Sequence, residues 1–119
     1  MTAAGDSLAA AEYCYLTTSG RITGGSHRIE IWFALHDGVV YLLAGDGERA
    51  DWVRNVMVSP DVVLEIGDRR RTLRARVVAA GSDEDALARR LLVEKYQPGY
   101  GEDLGEWGRT ALPVAIDWH

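Results

Sequence analysis

A single cysteine, Cys14, stands in a chain of 119 residues, so no disulfide can staple the fold. Its neighbours Tyr13, Tyr15 and Leu16 make the thiol read as a small buried hydrophobe. Histidine is nearly as scarce. His27, His36 and His119 are scattered, and neither a His-Glu-x-x-His nor a paired-Cys motif occurs, so no metal site is expected. No Gly-x-Ser-x-Gly elbow is present and no motif couples a Ser to a His, which removes the common nucleophile triads. No apolar run approaches the ~20 residues of a membrane-spanning helix. Residues 1–11 lack the basic start and apolar stretch of a leader. No membrane insertion and a cytoplasmic location are therefore expected. Positive charge is also in deficit. Lys and Arg number 13 against 18 Asp and Glu, and the net charge of −5 argues against a general nucleic-acid binder, whose affinity rests on neutralising phosphates.

What is present suits one compact unit over residues 1–119. The hydrophobic share is 47% and the charged share 26%, ordinary for a globular chain too short to hold separate substrate and nucleotide domains. Tyr13 to Thr18 reads as a strand. Arg28 to His36 alternates, with Ile29, Ile31, Phe33 and Leu35 on one face and Arg28, Glu30, Trp32 and Ala34 on the other, which predicts one long strand. Asp37-Gly38 signals a hairpin with Val39 to Ala44 as the returning strand. Ala50 to Val58 carries Val53, Val56 and Met57 at helical spacing and stops near Pro60. Val62 to Ile66, a Gly67-Asp68 turn and Arg69 to Ala79 predict a second hairpin, with Leu73, Ala75 and Val77 inward and Thr72, Arg74 and Arg76 outward. Ser82 is an N-cap followed by acidic first-turn residues, and Leu87, Leu91, Leu92 and Tyr96 form a helical stripe that ends before Pro98. Gln97 to Gly108 reads as a Gly-rich loop bearing aromatics, and Leu112 to Trp118 as the last strand. Antiparallel strands with two helical connections predict a small barrel, because closure removes sheet edges.

Three segments could carry chemistry, which would then belong to a bound cofactor. Around Gly20, Gly24 and Gly25 stand the hydroxyls of Thr17, Thr18, Ser19, Thr23 and Ser26 and the cations Arg21 and Arg28. Glycine lets backbone N–H groups approach an anion and arginine adds a forked charged donor, although an ordinary hairpin loop with solvated arginines has the same composition. Gly45 to Asn55 delivers a helix start after a glycine turn, with Trp52 able to stack on a ring or to sit in the core; Asp46, Glu48 and Asp51 weaken a phosphate role there. Tyr96, Tyr100 and Trp107 suit either a planar ligand or a lid packed on its own barrel.

In their order along the chain these segments resemble the deazaflavin-dependent nitroreductase family, the F420-using branch of the split-barrel flavin and deazaflavin oxidoreductases. The family pattern Thr-Thr-x-Gly-Arg-Lys-[Ser/Thr]-Gly is matched by Thr17 to Gly24 except at Ile22; a Trp-x-x-Asn pair follows as Trp52 and Asn55, then Ser59-Pro60. Tyr96, Tyr100, Trp107 and Arg109-Thr110 complete the series.

The resemblance implies a mainly β split barrel of the FMN-binding, pyridoxamine phosphate oxidase-like type. It implies coenzyme F420 as cofactor, and hydride transfer to a small electron-poor acceptor such as a quinone, an enone or a nitroaromatic. It places Thr18, Gly20, Arg21, Thr23, Gly24 and His27 at the cofactor phosphate, and Gly45, Arg49, Ala50, Asp51, Trp52 and Asn55 along the deazaflavin. Tyr96, Tyr100 and Trp107 become the acceptor-side lid, the two tyrosines being candidate proton donors. A homodimer is the expected assembly. Ile22 and Asp46 replace lysines of the family, which keeps two alternatives open: FMN in place of F420, or a non-catalytic flavin- or tetrapyrrole-binding protein.

Overall fold

Seven strands, all paired antiparallel, curl into one sheet in the order β2-β1-β5-β6-β7-β4-β3. The computed structural model describes residues 8–118, so the readings of His119 and of most of residues 1–11 fall outside the described residues. The strands are β1 (Cys14–Ser19), β2 (Ser26–Ile31), β3 (Ala34–His36), β4 (Val39–Ala44), β5 (Asp61–Ile66), β6 (Arg69–Val77) and β7 (Leu112–Asp117). The helices that follow β4 are α1 (Asp51–Val58), α2 (Asp83–Tyr96) and α3 (Gly105–Thr110). Short 3-10 turns cover Gly47–Arg49 and Gln97–Gly99. The expected loop Gln97 to Gly108 thus contains the start of a third helix.

The sheet is split because β6 serves two partners. Its residues Arg69 to Arg74 pair with β5, and Ala75 to Val77 pair with β7. Where the strand changes partner, the Ala75 N–H turns to the Pro60 carbonyl at 2.9 Å. This handover alters the expected alternation. Ala75 faces the core, but Val77 is exposed and Val78 takes the buried position, its N–H bound to the Pro113 carbonyl at 3.0 Å.

A second correction concerns Arg28 to His36, which is two strands and not one. β2 pairs with β1 at one edge of the sheet and β3 pairs with β4 at the other. Trp32 and Phe33 form the joint. Side chains replace the missing ladder there: the Phe33 N–H donates to the Tyr96 hydroxyl at 3.0 Å, and the Phe33 carbonyl accepts from Lys95 Nζ at 2.9 Å. The face assignment itself holds. Phe33 is in the barrel interior with Ile29, Ile31 and Leu35 packed around it, while Trp32 and Ala34 face the outer layer.

Two cores result. Inside the barrel, Cys14, Leu16, Val40, Leu42, Leu64, Ile66 and Ile116 are fully buried. Outside it, α2 lays Ala88, Leu92 and Tyr96 against Tyr41, Leu43 and Ala115. Ser82 caps α2 by accepting from the Asp85 N–H at 3.1 Å. Glu84 then pins that end to the sheet, accepting a two-pronged bond from Arg76 at 2.7 and 2.8 Å and one from the Tyr41 hydroxyl at 2.8 Å. On α1, Val53 and Val56 are buried as expected, but Met57 is 57% exposed and the inward position belongs to Asn55, 2% exposed.

The third helix sits tightly on the second. A Cβ on Gly108 would lie 2.5 Å from Val93 Cγ2. Gly108→Ala is therefore expected to cost about 1 to 2 kcal/mol net, because the overlap outweighs the roughly 1 kcal/mol that alanine gains in a helix. Chemical denaturation checks this, and Val93→Ala in the same chain should restore most of the loss.

Candidate cofactor and acceptor site

The turn joining β1 to β2 is closed by its own backbone: Gly20 N–H donates to the Gly25 carbonyl at 2.7 Å and Gly24 N–H to the Gly20 carbonyl at 2.8 Å. Two glycines are needed for different reasons. Gly24 has φ +77, and a Cβ on Gly20 would stand 2.6 Å from His27 Nε2. Thr23 Oγ1 accepts from the Gly25 N–H at 3.3 Å, which leaves Arg21 and Ile22 at the tip.

A polar relay docks this turn on α1. Asn55 donates through Nδ2 to Thr18 Oγ1 at 3.0 Å and accepts through Oδ1 from the Arg21 N–H at 3.2 Å and from Arg21 Nη1 at 3.0 Å. Arg21 Nη2 reaches Asp51 Oδ1 at 3.4 Å. Thr18 and Asn55 are both buried, so that end of the relay is shielded from water, while Asp51 at the other end is exposed. Two motifs distant in sequence are thus one construction.

Between the turn, β2, the Gly45 turn and α1 lies a cleft of about 870 Å³, within the size range of cofactor sites. Of the expected cofactor residues, Gly20, Arg21, Thr23, His27, Gly45, Ala50, Asp51, Trp52 and Asn55 line it. Thr18, Gly24 and Arg49 do not; Thr18 and Gly24 shape the turn behind it. Ser26, Arg28, Ile29 and Asp46 line it as well. Arg28 lies over the Tyr15 ring at 4.0 Å and pairs with Glu65 at 3.0 Å, which holds its guanidinium at the wall. Ser26 and Arg28 were among the donors that the sequence grouped with the glycine turn, and both line the cleft.

A second cavity of about 520 Å³ is lined by Tyr13, Glu30, Ile31, Trp32, Leu43, Tyr100, Glu102, Asp103, Leu104 and Trp107. Gly45 links it to the first cleft, because a Cβ there would touch the Trp107 indole at 3.7 Å. Tyr100 and Trp107 are therefore brought to one cavity beside the cleft. Tyr96 is not a lining residue of either. Its ring stacks on Trp32 at 4.2 Å and its hydroxyl donates to the Glu12 carbonyl at 2.6 Å while accepting from Phe33 N–H. Burial pushes that phenol up to about 12. Trp32, the residue around which the aromatics gather, was read from sequence only as an outward strand residue.

A split antiparallel barrel with a glycine-arginine turn facing a ring-sized cleft defines the class of split-barrel flavin and deazaflavin binders. The chain belongs to the F420H(2)-dependent quinone reductase family, whose model matches residues 2–118. The cofactor of that family is coenzyme F420. A Mycobacterium tuberculosis protein provisionally named F420H(2)-dependent quinone reductase is 35% identical over 78 residues, covering 66% of this chain and 62% of that protein. A Xenopus laevis 2-oxoglutarate dehydrogenase-like protein is 32% identical over 68 residues, 57% of this chain and only 7% of that protein's length. The chain thus spans less than two thirds of each of these relatives. Among solved structures, an F420-H2 dependent reductase, FDR-A, superposes with TM-score 0.71 at 24% identity over 88% of this chain and 93% of that one. The heme storage protein HutZ of Vibrio cholerae superposes with TM-score 0.78 at 14% identity over 98% and 87%. At these identities the superpositions establish the fold. Among the described residues no helix is long and apolar enough to cross a membrane.

Proposed function

We propose that this chain is an F420H2-dependent reductase that passes a hydride to a quinone, an enone or a nitroaromatic acceptor. The observation that carries the reading is the docking of the Gly20 to Gly25 turn on Asn55, which aims Arg21 into a cleft of ring-binding size. The donor set fits a phosphate-bearing cofactor. Arg21, Thr23, Ser26, His27 and Arg28 would hold the phosphate, and Gly45, Ala50 and Trp52 would border the ring. When bound, F420H2 supplies the hydride. The chain's own residues then orient and enclose: Trp52 packs against the barrel interior, and Trp107 bounds the acceptor cavity next to Gly45. Tyr100, partly exposed on that cavity, is the candidate hydrogen-bond donor to the acceptor oxygen. Tyr96 is a positioning residue in this reading, since its hydroxyl is committed to backbone partners.

Arg21→Gln is expected to weaken F420 binding ten- to a hundredfold, the loss of a charge-assisted contact of about 1.5 to 3 kcal/mol. Titration of the protein with F420 and with FMN, followed by fluorescence, checks both the variant and the cofactor. Ile22, which stands in place of a lysine, and Asp46 and Asp51 lower the positive charge of the cleft, which favours FMN, with its single phosphate and no acidic tail. Binding of FMN alone would overturn the F420 reading. Binding of F420 with no reduction of any quinone, enone or nitroaromatic would leave a carrier. We also infer a homodimer, because Ile22, Met57 and Val58 leave large apolar side chains exposed on and beside α1; sedimentation velocity tests it, and a monomer at micromolar concentration would remove it.

A further inference from the structure

We propose that the Trp32, Tyr100 and Trp107 cavity selects acceptors carrying a positive charge, a planar ring with an attached quaternary ammonium being the best fit. This rests on the reductase reading but concerns a different surface from the cofactor cleft. The walls are aromatic. Tyr100 and Trp107 each stand edge-on to Trp32 at 5.6 Å, with interplanar angles of 89° and 87°. Tyr96 covers one face of Trp32, stacked within 3° of parallel, and is not among the residues that line the cavity, so it holds the indole in place. Perpendicular rings around one indole make a box whose electron-rich surfaces attract a cation.

The charged residues that line the cavity have one sign. Glu30, Glu102 and Asp103 line the cavity, and no Lys, Arg or His does. Elsewhere in this fold several carboxylates are matched to arginines, as in Arg76 with Glu84 or Arg28 with Glu65. Among the described residues none of these three enters an ion pair. Glu30 accepts only a neutral bond from the Tyr15 hydroxyl at 3.1 Å, and Asp103 accepts from the Gly105 N–H at 2.8 Å. Two cations stand nearby: Arg109 Nη1 and Asp103 Oδ1 each lie 3.1 Å from the position a Cβ would take on Gly105, and half-buried Lys95 lines an adjoining recess that shares Trp32 and Tyr100 but donates to the Ala11 and Phe33 carbonyls. The two recesses differ in charge: Arg21 and Arg28 face Asp46 and Asp51 across the cofactor side, whereas the acceptor side is lined by three carboxylates and no cation.

A cation held away from the reacting ring keeps its charge throughout hydride transfer, so it strengthens ground-state and transition-state binding alike. KM should fall and kcat should not change. The test uses three naphthoquinones of one ring, substituted with a trimethylammonium-alkyl, a tert-butyl-alkyl or a sulfonate-alkyl group, each with F420H2 at low salt. KM is expected to rise in that order, by about tenfold or more from first to last, and the spread should shrink at high salt. In Glu102→Gln with Asp103→Asn, which keeps an oxygen at the helix start, the three values should converge. A second measurement needs no cofactor: benzyltrimethylammonium, but not benzenesulfonate, should quench the protein's tryptophan fluorescence saturably. A sulfonate KM equal to or below that of the ammonium overturns the proposal, as does quinone reduction without ammonium binding. Ammonium binding with no quinone reduced would instead sink the reductase reading and leave the cation site standing.

Discussion

Replacing Asn55 with leucine is expected to cost about 2 to 4 kcal/mol of stability, because it strands the Thr18 hydroxyl and the Arg21 N–H, each worth about 1 to 3 kcal/mol when buried without a partner. The same change should abolish F420 binding, since the Gly20 to Gly25 turn loses its anchor on α1. Urea unfolding and the F420 titration read the two effects separately. A double-mutant cycle sharpens the assignment. Thr18→Val alone should cost about 1 kcal/mol, and close to nothing once Asn55 is leucine, because the two side chains share one bond. Unchanged stability in Asn55→Leu would mean that the turn is held by something else.

The second large effect is alkaline unfolding. Burial pushes the Cys14 thiol from 9.0 up to about 12, and the Tyr41 and Tyr96 phenols from 10.0 up to about 12. For Tyr41 the bond to Glu84 adds to burial. Folded values above unfolded ones mean that the unfolded chain releases these protons first, so their stabilisation is complete below pH 9 to 10 and is lost as pH rises towards 12. Lys95 acts with the opposite sign. Burial lowers it from 10.5 to about 8, so the folded state gains stability between pH 8 and 10.5. The combined curve should be level or slightly rising from pH 8 to 9 and should fall steeply above 10.5. There three groups act together, at about 4 kcal/mol per pH unit, enough to unfold a domain whose whole stability is of order 5 to 15 kcal/mol. Denaturant titrations across this range measure the slope. Cys14→Ala should reduce it by about a third and turn the stretch between pH 9 and 10, where Cys14 and Lys95 offset each other, into a rise; an unchanged slope would show that the thiol is not what titrates.

Much of this architecture was legible in the sequence because it is written locally. Asp37 and Gly38 both adopt positive φ, 50 and 77, as a two-residue hairpin turn requires, and Ser82 caps its helix as its spacing indicated. The joint at Trp32 and Phe33 was not legible. An alternating pattern continues unbroken through it, and the groups that satisfy its backbone, Lys95 and Tyr96, lie more than 60 residues downstream. The inward turn of Val78 in place of Val77 had the same origin, a change of sheet partner that no period-2 pattern records.

For the candidate site, residue order identified the glycine turn, Trp52 and Asn55, all of which meet at one cleft apart from the turn's supporting residues Thr18 and Gly24. Tyr96 shows where that reasoning stopped. Sequence grouped it with Tyr100 and Trp107 by aromatic character, but position 96 closes a helix whose buried face also carries Ala88 and Leu92, so its hydroxyl turns inward to the backbone. Trp32 illustrates the converse. A tryptophan on the outer face of a strand gives no sign that an aromatic box will gather around it.

The joint at Trp32 and Phe33 also bears on how the length of this chain can vary. Turns such as 45–50 and 97–104 connect elements over exposed surface, and insertions there lengthen a loop at a cost that grows only slowly. The joint allows no such slack. β2 and β3 occupy opposite edges of the sheet, so the two residues between them tie one edge directly to the other. One added residue would invert which face each strand presents and part the Phe33 backbone from Tyr96 and Lys95. Variation in length among chains of this fold should therefore gather in the turns and leave the spacing from Ile31 to Ala34 unaltered.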